Sequence, residues 1–216
     1  MRTATWVPIV ALAAAAAVSA PAALAAEGRW YLGAGGGEAR LKNDDSSING
    51  ALFGTGATAT AATKDDNSFQ YKLYVGYEIN KYFAVEGGYF KLGEFSFNAI
   101  TAPAGTLAGN LKVNHGWNLD VLGRLPLYQD RFSLFARVGG QSTTTTDLFA
   151  GTGGATPLFN PAPSKTEINY KAGAGAEYMF GKNVGTRLEW ERYHISDGFS
   201  GHLNVDAYTL NLLYKF

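Results

Sequence analysis

The stretch FQYKLYVGYEI, residues 69–79, decides the fold class. Phe69, Tyr71, Leu73, Val75, Tyr77 and Ile79 share one parity, while Gln70, Lys72, Tyr74, Gly76 and Glu78 share the other. A helix would scatter both sets around its circumference, whereas a strand sends successive side chains to opposite faces. The stretch therefore reads as a strand with one apolar face and one polar or small face. The same contrast recurs in EINYKAGAGAEYMF, residues 167–180, and in AYTLNLLYKF, residues 207–216.

Working outward from these three, the alternation predicts eight strands, at residues 28–41, 68–80, 82–95, 112–125, 131–143, 166–180, 184–195 and 204–216. An even number returns both termini to one side. The connections at 80–81, 126–130 and 181–183 are tight, and those at 42–67, 96–111, 144–165 and 196–203 are long. Strands of about 12 residues match a tilted membrane crossing and exceed the usual globular length. Trp30, Tyr82, Tyr89, Trp117, Tyr128, Trp190, Tyr208 and Phe216 fall near strand ends, where an interfacial girdle requires aromatics. A soluble sandwich or lipocalin-like barrel also alternates, but the polar face here is too charged for a dry core. It carries Glu78, Glu86, Asp120, Arg124, Arg137, Lys171, Glu177, Arg187, Glu189 and Glu191. The expected fold is all-β: an eight-stranded antiparallel transmembrane β-barrel with short periplasmic turns and long extracellular loops.

Composition narrows the function. Lys plus Arg and Asp plus Glu both number 18, which excludes a polybasic nucleic-acid binder. Cys is absent, which excludes disulfide scaffolds, CxxC redox sites and thiolate metal centres. Gly, Phe, Tyr and Trp make up about a quarter of the 216 residues, a bias that favours sheets and turns. Arg2, the Ala-rich run from Trp6 to Ala20 and the small-residue pattern Ala23, Leu24, Ala25 predict a signal peptide, residues 1–25, cleaved after Ala25. Residues 26–216 then form the barrel domain. The tracts Asn49–Thr63 and Ser142–Thr156 lack apolar periodicity and read as mobile extracellular loops. Asp44, Asp45, Asp65 and Asp66 lack EF-hand spacing, and His115 and His202 lack metal-ligand spacing, so no metal and no cofactor is expected.

Eight strands enclose a lumen just wide enough for side chains to fill. Charges there must be paired, because an uncompensated buried ion costs several kcal/mol. The inward parity supplies both signs in Glu86, Arg137, Glu177, Arg187 and Glu189, with Asp120 and Arg124 beside them. These residues form either a static plug or a gate whose partners exchange.

At these positions the chain resembles the transmembrane domain of the outer membrane protein A (OmpA) family. AGAGAEYMFGKNVGTRLEWERY, residues 172–193, is similar to that family's sixth and seventh strands, and FAVEGGYF, residues 83–90, and LFARVGG, residues 134–140, resemble its third and fifth. VDAYTLNLLYKF ends in Tyr214 and Phe216 and resembles the C-terminal signal read by the barrel assembly machinery. The resemblance implies an interior charge cluster of Glu86, Arg137, Glu177 and Arg187. The family's inward lysine on strand four has no counterpart, since that face offers Asn118, Asp120 and Arg124. The resemblance covers the barrel alone, without an expected C-terminal periplasmic domain after Phe216, so peptidoglycan tethering is not implied.

His194, Ser196 and Asp206 are similar in order to the lipid A deacylases, which also use small barrels, although Asp197 stands where that pattern has Asn. The expected function is a non-enzymatic barrel of the Gram-negative outer membrane that serves envelope integrity. A low-conductance pore, an adhesin or receptor acting through its loops, and a deacylase are the alternatives. The expected partners are outer-membrane lipid, lipopolysaccharide and the assembly machinery. The barrel is expected to be a monomer with no nucleic acid bound.

Overall fold

The computed structural model describes residues 28–42, 58–102, 105–128, 131–153, 164–196 and 202–216. The expected signal peptide lies outside them. The described strands are β1 (Arg29–Lys42), β2 (Thr58–Asp65), β3 (Asn67–Glu78), β4 (Phe83–Lys91), β5 (Gly93–Ala102), β6 (Gly105–Leu127), β7 (Phe132–Gly153), β8 (Ser164–Met179), β9 (Val184–Ser196) and β10 (His202–Lys215). They pair in the order β2-β5-β6-β4-β3-β1-β10-β9-β8-β7, and β6 also pairs with β7, which closes the ring. A single residue, Asp66, separates β2 from β3, and Leu92 alone separates β4 from β5. The barrel therefore has eight antiparallel staves, two of them kinked.

The kinks mark where the barrel stops and a sheet continues. β4 and then β5 run along β6 in one register, from Phe83 opposite Gly123 to Thr101 opposite Gly105. At the kink Gly93 has φ 91°, and a Cβ there would lie 2.1 Å from Ser68 Oγ. Only glycine fits that backbone and that approach. The Glu94 amide donates to Ser68 Oγ at 3.0 Å, and β6 bulges between Val113 and His115 beside them. Beyond this line β2, β5 and the outer parts of β6 and β7 form a four-stranded projecting sheet.

The expected long connections at 96–111 and 144–165 are consequently corrected. Residues 93–102 and 105–127 are strands joined across only 103–104, and β7 runs on to Gly153. Thr58–Thr63, expected in a loop, belongs to β2. The physical reason is that the buried face of this sheet is built largely from small and hydroxyl side chains such as Ala99, Thr101, Thr143 and Thr145, which leave no continuous stripe of large apolar residues. Thr is β-branched and favours extended backbone, and its hydroxyls pair across strands: Thr144 with Thr166 at 2.9 Å and Thr106 with Thr152 at 2.8 Å. Residues 43–57, 154–163 and 197–201 lie outside the described residues.

The outward face is apolar through the middle of the barrel. Leu188, Leu210 and Leu212 are 62%, 60% and 67% exposed, and Leu32, Leu73, Leu119 and Val138 continue the band. So much contiguous exposed leucine is stable only against lipid. Trp30, Tyr77, Tyr178, Phe180, Tyr214 and Phe216 flank it toward the short turns, and Phe69, Tyr71, Tyr89, Trp117, Tyr170 and Tyr208 flank it on the other side. At the β3–β4 turn Asn80 Oδ1 accepts from the Tyr82 and Phe83 amides at 2.8 and 2.9 Å. At the β8–β9 turn Asn183 Nδ2 donates to the Lys215 carbonyl at 2.6 Å. Leu188→Arg should lower stability by about 2–4 kcal/mol, as a charge at mid-bilayer depth does. Urea unfolding in lipid vesicles measures this, and unchanged stability would contradict a lipid-facing Leu188.

Candidate functional site

The polar parity of every stave points into the lumen, where the two charge signs are matched. The cations are Lys72, Arg124, Arg137, Lys171, Arg187 and Lys215; the carboxylates are Glu78, Glu86, Asp120, Glu177, Glu189 and Glu191. Nearest the short turns, Arg124 Nη2 donates to both oxygens of Glu177 at 2.5 and 2.6 Å, while its Nη1 donates to Glu78. Lys215 Nζ donates to Glu78 at 2.7 Å and Glu177 at 2.8 Å. Arg187 links this layer to the next, with Nη2 3.0 Å from Glu177 and Nη1 2.5 Å from Glu86. The Tyr31 hydroxyl donates to the same Glu86 oxygen at 2.6 Å.

In the deeper layer Arg137 donates to Glu86, to Asp120 at 3.2 Å and to Glu191 at 3.1 Å. Lys171 lies 2.8 Å from Asp120 and 2.5 Å from Glu191. Lys72 pairs with Glu189 and lies 2.7 Å from Glu191. Following the contacts Lys215–Glu177–Arg187–Glu86–Arg137–Glu191–Lys72, sign alternates at each step. In a low-dielectric lumen that alternation supplies the attraction that offsets desolvation.

All seven expected interior residues meet here. The reading of the residues missed Lys72 and Lys215 as partners, although both sit on the inward parity of strands it had identified. Lys171, Glu191 and Glu78 were recognised as polar-face residues but not as members of the cluster. Lys72 and Lys171 enter the deeper layer from β3 and β8, while Arg124 belongs to the layer nearest the short turns.

Rings complete the filling. Tyr31 stands opposite Gly76, Tyr74 opposite Gly33, Phe90 opposite Gly116 and Phe135 opposite Gly175, each on the neighbouring strand. A Cβ at any of these glycines would meet the facing ring, as at 2.1 Å for Gly76 and 2.4 Å for Gly116. Glycine on one strand thus makes the space that an inward aromatic on the next fills. Beyond the charge layers Phe90, Leu92, Phe95, Tyr193, Ile195, Leu203 and Val205 pack with Ala39, Leu41 and Ala207 as an apolar plug. The Phe90 and Tyr193 rings lie 4.8 Å apart within it.

Of the residues considered for catalysis, His194 and Asp206 lie on the outward parity of β9 and β10 near the opposite rim. His194 Nδ1 lies 3.0 Å from Asn204 Oδ1, and its ring stacks on Tyr170 at 4.8 Å. Asp206 accepts from Arg192 at 2.6 and 2.8 Å and is so engaged by a cation. The Ser196 and His202 side chains lie outside the described residues, as do Asp44, Asp45 and Asp197. No cluster of potential metal ligands occurs among the described residues. Phe216 packs edge-on against Tyr214 at 5.2 Å, and its amide donates to the Trp30 carbonyl at 2.9 Å.

Arg187→Ala strands Glu86 and Glu177 without their shared partner and should cost about 3–5 kcal/mol. The double variant Glu86→Gln/Arg187→Met removes charge of both signs and should recover part of that loss. Urea midpoints of the refolded barrels give both values, and a single variant as stable as the parent would contradict the assignment.

Residues 10–216 match the outer membrane protein β-barrel domain family. A curated relative, an uncharacterized protein of Coxiella burnetii, is 29% identical over 211 residues that cover 85% of this chain and 82% of that one. Among solved structures, Neisserial surface protein A is similar in fold at 12% identity and TM-score 0.50, covering 87% of this chain and 97% of that one. Ail, the attachment invasion locus protein of Yersinia pestis, superimposes with TM-score 0.48 at 15% identity over 88% of this chain and 99% of its own. With its closed eight-stranded wall, apolar belt and family match, the chain belongs to the outer membrane protein β-barrel domain family and is a protein of the outer membrane.

Proposed function

We propose that this barrel is a sealed, non-enzymatic structural element of the Gram-negative envelope. On this reading it is exported by a signal peptide cleaved after Ala25 and inserted by the barrel assembly machinery. It acts as a monomer among phospholipid and lipopolysaccharide, without a cofactor. The observation that carries the proposal is the stacking of two charge layers and an apolar plug along the lumen. Ion passage would have to break several buried pairs and displace Phe90 and Tyr193 as well. The static plug among OmpA-like barrels is therefore favoured over the salt-bridge gate, and the porin reading ranks below it.

The projecting sheet favours a second reading as an adhesin or receptor. Among the described residues β2 pairs with β5, and β7 beyond Thr146 pairs with β6, so these two strands are the outer strands of the sheet. Such edges accept a partner's strand. The deacylase reading is disfavoured by the bidentate hold of Arg192 on Asp206, which keeps that carboxylate from orienting His194.

Planar-bilayer recording of the refolded barrel tests the sealed lumen. Wild type should show no discrete steps, and Phe90→Ala/Tyr193→Ala should introduce them; steps in the wild type would overturn the proposal. Removing residues 96–109 should leave heat-modifiable gel mobility intact, and loss of cell binding in that variant would favour the adhesin reading. Lipid A from cells with and without the protein should carry the same acyl chains by mass spectrometry, whereas a missing chain would make the barrel an enzyme.

A further inference from the structure

At the short-turn rim the lumen opens as a cup of about 440 Å3. Arg29, Lys81, Arg124, Arg131, Lys182 and Lys215 line it, with Glu78 the one carboxylate in the lining. Glu78 and the deeper Glu177 are already engaged by Arg124 and Lys215. Arg29 Nε donates to the Phe216 main-chain oxygen at 3.2 Å. Lys81, Arg131 and Lys182 form no ion pair with a carboxylate among the described residues. The cup thus carries positive charge in excess, against the neutral balance of the network behind it.

Lys81, Arg131 and Lys182 share this cup with the three engaged cations, and an anion in it would relieve their mutual repulsion. The donors are guanidinium groups at Arg29 and Arg131 and ammonium points at Lys81 and Lys182. That set suits a multivalent tetrahedral oxyanion, because each oxygen can accept from a different donor.

We propose that this cup binds phosphoryl anions. The chemistry is shared by free inorganic phosphates and by phospholipid headgroups at the rim. The site stands apart from the sealing of the lumen, since Lys81 and Lys182 lie on the β3–β4 and β8–β9 turns, outside the charge layers.

Inorganic pyrophosphate is titrated calorimetrically into the refolded barrel in lipid-free maltoside micelles, at constant ionic strength. Saturable binding is expected, weakened about tenfold or more in Lys81→Gln/Lys182→Gln, as loss of two charge-assisted donors predicts. Lys165→Gln, on the opposite side of the barrel, should bind as wild type does. Both variants should keep heat-modifiable gel mobility, since these side chains are outside the buried ion pairs. Displacement of pyrophosphate by added phosphatidylglycerol would assign the cup to headgroups, and its absence would assign it to soluble phosphates; either supports the site. Absence of saturable binding by wild type, or equal affinity in the Lys81/Lys182 variant, would overturn it.

Discussion

A strand crossing hydrocarbon must satisfy every amide and carbonyl on a neighbouring strand, because lipid offers no hydrogen-bond partner. The β6–β7 seam meets that demand, with pairing that runs from Gly105 opposite Gly153 to Leu127 opposite Phe132. Closure also separates two solvents. Leucine and valine meet lipid outside, while the opposite parity is confined to a lumen too narrow for bulk water. The inverted distribution, with charge inside and leucine outside, follows from that one constraint.

Confinement then dictates the chemistry of the interior. Each carboxylate that enters must bring a cation, and each ring must be matched by a glycine that makes room for it. Glu86 illustrates the first rule: it receives Arg137, Arg187 and the Tyr31 hydroxyl. Phe90 over Gly116 illustrates the second, and the same ring begins the apolar plug. Electrostatic pairing and close packing therefore follow one another along one axis.

The two ends of the barrel differ because their constraints differ. At the short-turn rim three tight turns hold lysines and arginines around an open cup, next to a network whose carboxylates are already engaged. At the other rim four staves outrun the membrane and continue as a sheet in water. There the buried face passes largely to side chains such as Ala99, Thr101, Thr143 and Thr145, and threonine hydroxyls make cross-strand contacts. Positive charge thus concentrates at one end and extended sheet at the other.

Much of this was legible in the residues. FQYKLYVGYEI and its counterparts set the parity, and parity alone assigned Glu86, Asp120, Arg124, Arg137, Glu177, Arg187 and Glu189 to the lumen. The projecting sheet was not legible, because much of its buried face is small or hydroxyl-bearing, as at Ala99, Thr101, Thr143 and Thr145, and its Thr and Gly residues read as loop. Lys72 and Lys215 were on the correct face but could not be paired, since partners lie across the ring and depend on shear between staves far apart in the chain. Alternation with period two is a local property of the backbone, so the sequence by itself determined strand, face and membrane class. Which charge meets which, where the lumen is plugged and where the barrel gives way to open sheet depend on register between distant strands, and only the tertiary structure decided them.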